Sequence, residues 1–160
     1  MSIPTRLSSY LDQRGAHYSI CTHEHSRSSP ETARTARVPP HQLAKSVVVE
    51  DESGGRIVAV VPGDRSVLLG PLSHLLDRKG LRLVDEACIA SMFEDCDLGA
   101  VPALGMAWGV ETVVDDELET GEIVYVEAGD HEHLLMLSGQ QFHELMLEAR
   151  HGRFCGERIH

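Results

Sequence analysis

Lys45 lies in the run Gln42-Leu-Ala-Lys-Ser-Val-Val-Val-Glu50, where a charged amine meets the threshold of an apolar, β-branched strand. A lysine on a strand edge is ordinarily a solvated face or a guard against edge pairing. Here Leu43 and Ala44 precede it and Val47 to Val49 follow. That pattern suggests a side chain leaving a buried element at its end, where an ammonium can point into a cleft. Such a group holds a phosphate or ribose oxygen, or steadies a developing oxyanion. It is less suited to act as a base, which would need its pKa lowered by several units. A second segment, Leu98-Gly-Ala-Val-Pro-Ala-Leu-Gly-Met106, offers a partner. Glycine lets backbone N–H groups face a ligand closely and proline fixes the loop shape, so Gly99 to Pro102 reads as an oxyanion hole or, equally, as a plain helix-to-strand connection.

Three further polar groups have spacing worth weighing. Val113-Val-Asp-Asp-Glu117 places carboxylates just beyond a strand. Asp116 belongs to a turn, whereas Asp115 is placed either to bind a substrate amine or to orient Lys45. In Gly129-Asp-His-Glu-His133, His131 and His133 would share a face at the two-residue period of a strand, as would His23 and His25. Two histidines without a third ligand, and with no HExxH or HxE…PCxxC pattern, argue against a zinc site. A metal-dependent hydrolase is therefore a minor reading, and His131 fits a ligand-lining role better. No GxSxG elbow, GxGxxG or P-loop is present, and Cys21, Cys88, Cys96 and Cys155 form no CxxC pair, so they read as reduced thiols.

The elements that must position these residues mix helix and strand without a regular βαβ repeat, which predicts an α+β fold. Ile3, Leu7, Tyr10 and Leu11 make a helical stripe that stops by Gly15. Tyr18 to His23 alternates as a strand. Ser28-Ser-Pro-Glu31 combines a hydroxyl cap, an early proline and an acid, so a helix begins there and runs to about Arg37, before Pro39-Pro40. Val47–Val49 and Ile57–Val61 read as a hairpin through Ser53-Gly-Gly55. A helix over Pro71 to Lys79, a short strand from Leu81 to Val84 and a helix from Asp85 to about Phe93 follow. After the loop from Asp97 to Gly109 come strands at 110–114, 123–127 and 133–137, then a helix capped by Ser138. Residues 1–150 make one domain, and 151–160 are expected to be a mobile tail.

At 160 residues, 42% hydrophobic and 24% charged, the chain has the composition of a soluble globular domain. No apolar run approaches a membrane span and no signal peptide is evident, so the expected compartment is cytoplasmic, with no membrane partner. A net charge of −11 opposes a long grip on a polyanion such as DNA, and would confine any contact with RNA to a small part of it.

Taken in order, Ser28-Ser-Pro-Glu-Thr-Ala33, Leu43-Ala-Lys-Ser46, the loop from Asp97 to Gly105 and Ala128-Gly-Asp-His131 resemble the YbaK/prolyl-tRNA-synthetase-associated editing domains over nearly the whole chain. The resemblance is to the free-standing kind, and implies a mostly antiparallel sheet or barrel surrounded by helices. It also implies hydrolysis of the ester between a small noncognate amino acid and tRNA, of the Ala-tRNA(Pro) or Cys-tRNA(Pro) type, helped by the substrate's terminal ribose hydroxyl and without a cofactor. The implied partners are the aminoacyl-tRNA acceptor end and an aminoacyl-tRNA synthetase. On the same ground Lys45, Gly99, Ala100 and Val101 are the catalytic residues, and Ser29, Pro102, Asp115 and His131 bind substrate. The loop departs from the commoner GxxxP form, with two residues between Gly99 and Pro102. The alternative reading is a non-catalytic module that binds a nucleotide or aminoacyl-tRNA.

Overall fold

The computed structural model describes residues 3–26 and 28–157. In chain order the elements are α1 (Thr5–Gln13), β1 (Ser19–Thr22), α2 (Ser29–Ala36), β2 (Leu43–Glu50), β3 (Arg56–Pro62), β4 (Arg65–Val67), α3 (Leu69–Leu76), β5 (Arg82–Leu83), α4 (Glu86–Met92), β6 (Glu111–Asp115), β7 (Ile123–Glu127), β8 (His133–Ser138), α5 (Gly139–Leu145), β9 (Arg150–Gly152) and β10 (Cys155–Glu157). Local chemistry sets most of these boundaries. Ser28 caps α2 by accepting from Glu31 N–H, Asp85 caps α4 through Cys88 N–H, and Ser138 caps α5 through Gln141 N–H. The helix expected to reach Lys79 instead ends at Leu76, because Asp77 turns left-handed at φ 53° and the N–H groups of Asp77 and Arg78 fold back onto His74 and Ser73 carbonyls.

The main sheet has the strand order β1-β8-β7-β2-β3-β6-β9, with β5 added to β2, while β10 pairs with β4. The β2–β3 hairpin expected from the sequence is its longest ladder, from Ala44 opposite Pro62 to Glu50 opposite Arg56. Antiparallel pairs predominate, but β2–β7, β3–β6 and β6–β9 are parallel. The path has two free ends, so the α+β expectation holds for an open sheet and not for a barrel.

Period-2 alternation divides the core into layers. Ala44, Val48, Val58, Val60, Val114, Val126 and Leu135 face one side, where Leu7 and Leu11 of α1, Phe142 and Leu145 of α5, and Phe93 cover them. On the other side Val49, Ile57, Ala59, Val61 and Val113 pack beneath Leu72 and Leu76 of α3, and Leu43 and Leu134 pack against Ala33 of α2. The second layer corrects the expected C-terminal tail. Phe154 is only 1% exposed and belongs to this layer, while β9 and β10 are tied to β6 and β4. Residues 151–157 are therefore part of the fold, and 158–160 lie outside the described residues. No described helix is long and apolar enough to cross a membrane.

Candidate active site

The sheet contains one fork. β2 and β7 run parallel but share just two rungs, Leu43 with Tyr125 and Ala44 with Val126. Beyond these β7 ends at Glu127, while β2 continues to Glu50. Lys45 is thus the third residue of β2, inside the strand and not at its threshold, because pairing with β7 already begins at Leu43. One more step along the same ladder would set Lys45 opposite Glu127, on the same face. The loop from Asp97 to Pro102 closes the gap. Ser46 Oγ donates to the Val101 carbonyl at 2.9 Å, and Asp97 N–H donates to the Gly129 carbonyl at 2.7 Å.

The loop earns its glycine. Ala100 N–H donates to Asp97 O at 3.1 Å, closing a four-residue turn in which Gly99, third in order, has φ 81°. That is the conformation a type II turn requires at this position and that a side chain disfavours. Ala100, Val101 and Pro102 are buried, while Leu98 and Gly99 are exposed. The Ala100 N–H is therefore committed to the turn, which removes it from the expected oxyanion donors. Among the described residues nothing accepts from the N–H groups of Gly99 or Val101.

His131 forms the opposite wall, and its placement comes from Asp130. The buried Asp130 carboxylate accepts from the N–H groups of Glu132 (3.0 Å) and His133 (2.9 Å) and meets His133 Nδ1 at 2.5 Å. Burial pushes its pKa up, but these bonds outweigh it and hold the carboxyl below its ordinary value. The tight turn so formed carries His131 at φ 61°. His131 and His133 therefore do not share a strand face, as the two-residue period predicted, because His131 precedes β8 and His133 is tied back to Asp130. Nε2 of His131 bonds the Leu98 carbonyl, and since a carbonyl can only accept, that nitrogen carries the proton and Nδ1 is left with its lone pair. Nδ1 is buried with no partner among the described residues. The His25 ring packs edge-on against His131 at 5.6 Å. Together with Glu86, Asp97, Leu98 and Gly99 they line a cleft of about 490 Å³.

The remaining expected residues fall differently. The Lys45 ammonium donates to the Arg65 carbonyl on β4, so the structure seats its backbone against the loop through Ser46 but sends its side chain to the face away from Val101. Ser29 is the half-buried first residue of α2 and makes no hydrogen bond to the loop. Its neighbours Ser26 and Thr32 are the ones drawn inward, their hydroxyls 2.5 Å apart, with Ser26 N–H donating to the His131 carbonyl. Asp115 is a correction. It is 1% exposed, with Oδ1 accepting from Glu117 N–H at 2.9 Å and Oδ2 from Phe154 and Cys155 N–H at 2.8 and 2.9 Å. Its carboxylate anchors the C-terminal strands and borders a second cleft that shares no lining residue with the first.

Sequence reasoning missed Glu127. It is 2% exposed, neither carboxylate oxygen meets a donor in hydrogen-bonding geometry, and burial lifts its pKa to about 7 against an opposing pull from the neighbouring Thr32 hydroxyl, with the Asp130 charge adding to the rise. The available signal was its period: Tyr125 and Glu127 alternate with buried Val124 and Val126, which sets Glu127 on the second face of the sheet. Among the described residues no three His, Cys, Asp or Glu side chains are grouped to hold a metal ion.

Solved structures share this architecture. The hypothetical protein APE2540 superposes with a TM-score of 0.84 at 22% identity, over 94% of this chain and 99% of its own. A protein described as a candidate trans-editing enzyme for prolyl-tRNA synthetase gives 0.79 at 21% identity, over 98% and 100%. A protein of Marinobacter aquaeolei VT8 described as a candidate signal-transduction protein gives 0.77 at 21% identity, over 98% of this chain and 31% of that longer one. No curated protein sequence matches significantly. The family model for the aminoacyl-tRNA editing domain matches residues 23–145, a span that begins at His23, takes in Lys45, the Gly99 loop and His131, and ends with α5. The chain belongs to the aminoacyl-tRNA editing domain family.

Proposed function

We propose that this protein is a trans-acting deacylase that hydrolyses the ester of mischarged aminoacyl-tRNA. The observation that carries the reading is the loop laid across the β2–β7 fork, with Gly99 and His131 lining one cleft and the N–H groups of Gly99 and Val101 unclaimed along the loop. An aminoacyl ester is already reactive, so it needs a positioned water, a stabilised tetrahedral intermediate and a proton acceptor. Water adds to the ester carbonyl, and the negative charge that forms on the carbonyl oxygen is met by the two N–H donors. Collapse breaks the bond to the ribose oxygen, which takes up the proton the water gave. The terminal ribose hydroxyl of the tRNA can carry that proton between them, so no strong protein base is required. Lys45, beside the fork, supplies the positive charge that holds the terminal adenosine or its phosphate.

The likeness to a protein described as trans-editing for prolyl-tRNA synthetase favours tRNA(Pro) carrying a small residue such as alanine or cysteine. It also favours a synthetase as the working partner. A hydrolytic second sieve is needed for such pairs because one methylene is worth only about 1–3 kcal/mol in a hydrophobic pocket. The test is a panel of several tRNAs carrying several amino acids. Purified protein releases a small amino acid, and Lys45→Met lowers kcat/KM about ten- to a hundredfold, as loss of a charge-assisted contact does. No release from any member at high enzyme concentration refutes the proposal.

A further inference from the structure

Four buried polar atoms on the α2 side of the sheet have no partner among the described residues, and with Glu127 ionised all four are acceptors. Two are the carboxylate oxygens of Glu127 and one is the lone pair on His131 Nδ1. The fourth is Nε2 of His23, whose Nδ1 must carry the proton because it meets the Glu24 carbonyl at 2.7 Å. Their surroundings are connected. His23 lies 3.4 Å from the Thr35 hydroxyl, Thr35 donates to the Thr32 carbonyl, Thr32 stands beside Glu127, and Thr32 pairs with Ser26, which is bonded to His131. Folded proteins rarely leave buried acceptors unmet. A set made only of acceptors, one of them an acid, is complementary to a compact cation with several N–H donors.

Every aminoacyl-tRNA carries such a group next to its ester, whatever the side chain. We propose that this acceptor cluster, with the Glu127 carboxylate as its charged member, receives the α-ammonium group of the aminoacyl substrate. The role rests on the deacylase reading above, and it is the one the sequence had offered to Asp115. Asp115 accepts from three backbone N–H groups, whereas neither Glu127 oxygen is met by a donor in hydrogen-bonding geometry among the described residues, and Glu127 ends β7 where it parts from β2. The arrangement divides the work. The loop donors at Gly99 and Val101 serve the carbonyl end of the aminoacyl group, and the acceptors on the α2 side, Glu127 and His131, serve its amine. Recognition of the amine makes the site selective for aminoacyl esters over other acyl esters without limiting the side chain.

The experiment uses two uncleavable amides of 3′-amino-3′-deoxyadenosine, one carrying alanine and one carrying lactate, which differ by an amine in place of a hydroxyl. The wild-type protein binds the alanyl compound at least about tenfold more tightly, the scale of a hydrogen bond to a charged group. In Glu127→Gln the two affinities come within about threefold. Equal binding of the two amides by the wild type, binding of neither at millimolar concentration, or a preference that survives in Glu127→Gln overturns the proposal. If the variant does not fold, the wild-type comparison decides alone. The deacylation panel is read separately. A wild type that prefers the alanyl amide but hydrolyses no charged tRNA refutes the deacylase reading and leaves the ammonium site standing. A wild type that hydrolyses without that preference does the reverse.

Discussion

Replacing Glu127 with glutamine is expected to stabilise the protein by an amount that depends on pH. Burial is the dominant cause that moves this carboxyl from 4.5 to about 7, so the folded state holds its proton where the unfolded state has released it. Below pH 4.5 the group is protonated in both states and imposes no penalty. Between pH 4.5 and about 7 the unfolded chain ionises while the folded one does not, and stability drains away. Above pH 7 both are ionised and the loss levels off at about 3 kcal/mol, each pKa unit being worth about 1.4 kcal/mol. Glutamine keeps the shape and removes the charge. Urea unfolding of both proteins at pH 4 and pH 8 is the assay, and taking the difference between variant and wild type cancels every other titrating group. The expected difference is near zero at pH 4 and about 2–3 kcal/mol in favour of the variant at pH 8. With a urea slope of about 1–3 kcal/mol per molar, that moves the midpoint by about 1–2 M. A variant equally stabilised at both pH values, or destabilised at pH 8, refutes the reasoning. A protein that keeps so costly a residue gains something by it, and stability given up at a functional site is the usual exchange.

Asp115→Asn removes the charge from three backbone hydrogen bonds to a buried carboxylate and is expected to cost about 2–4 kcal/mol in urea unfolding while deacylation per folded molecule is unchanged. Lost activity at unchanged stability would return Asp115 to the substrate. Phe154→Ala empties a fully buried site beneath α3 and is expected to cost about 3–5 kcal/mol, lowering the thermal midpoint by roughly 10 °C. A shift of only a degree or two would make the C-terminal segment a tail after all.

Much of the fold was legible because it follows local rules. The caps at Ser28, Asp85 and Ser138 and the β-branched runs of β3 and β7 are written in short windows of sequence, and these elements stand where their residues predict. What was not legible depends on partners far along the chain. β2 starts at Leu43 and not at Val47 because Tyr125 is there to pair with it, which moves Lys45 from a strand threshold into the strand. The residues after Ala149 look like a tail until β6 and β4 are present to receive them, and Asp115 looks like a ligand for substrate until Phe154 and Cys155 arrive to occupy it. Of the site, the Gly99 turn and the His131 wall were visible as residue types. Glu127 was not, because an acid ending an apolar strand reads as solvated unless something, here α2 with Thr32, covers it.

The fork explains why chemistry would settle at this place in the sheet. Where two parallel strands part, backbone groups lose the partners a continuing ladder would give them, and buried groups of this kind must be met by something else. The loop from Asp97 to Pro102 is tied in at this place, with the Ser46 hydroxyl donating to the Val101 carbonyl and Asp97 N–H donating to the Gly129 carbonyl. The match is incomplete, and the remainder is sorted by kind. Backbone donors are left over on the loop at Gly99 and Val101, and side-chain acceptors are left over on the α2 side at Glu127 and His131. An aminoacyl ester presents the complementary pair in adjacent positions: a carbonyl oxygen that becomes negative in the reaction and an ammonium one carbon away. With a net charge of −11 the protein has little general attraction for the body of a tRNA, so local complementarity of this kind has to carry recognition at the acceptor end. That requirement gives the two sets of leftover groups a common purpose, since neither alone distinguishes an aminoacyl ester from a simple ester or a simple amine.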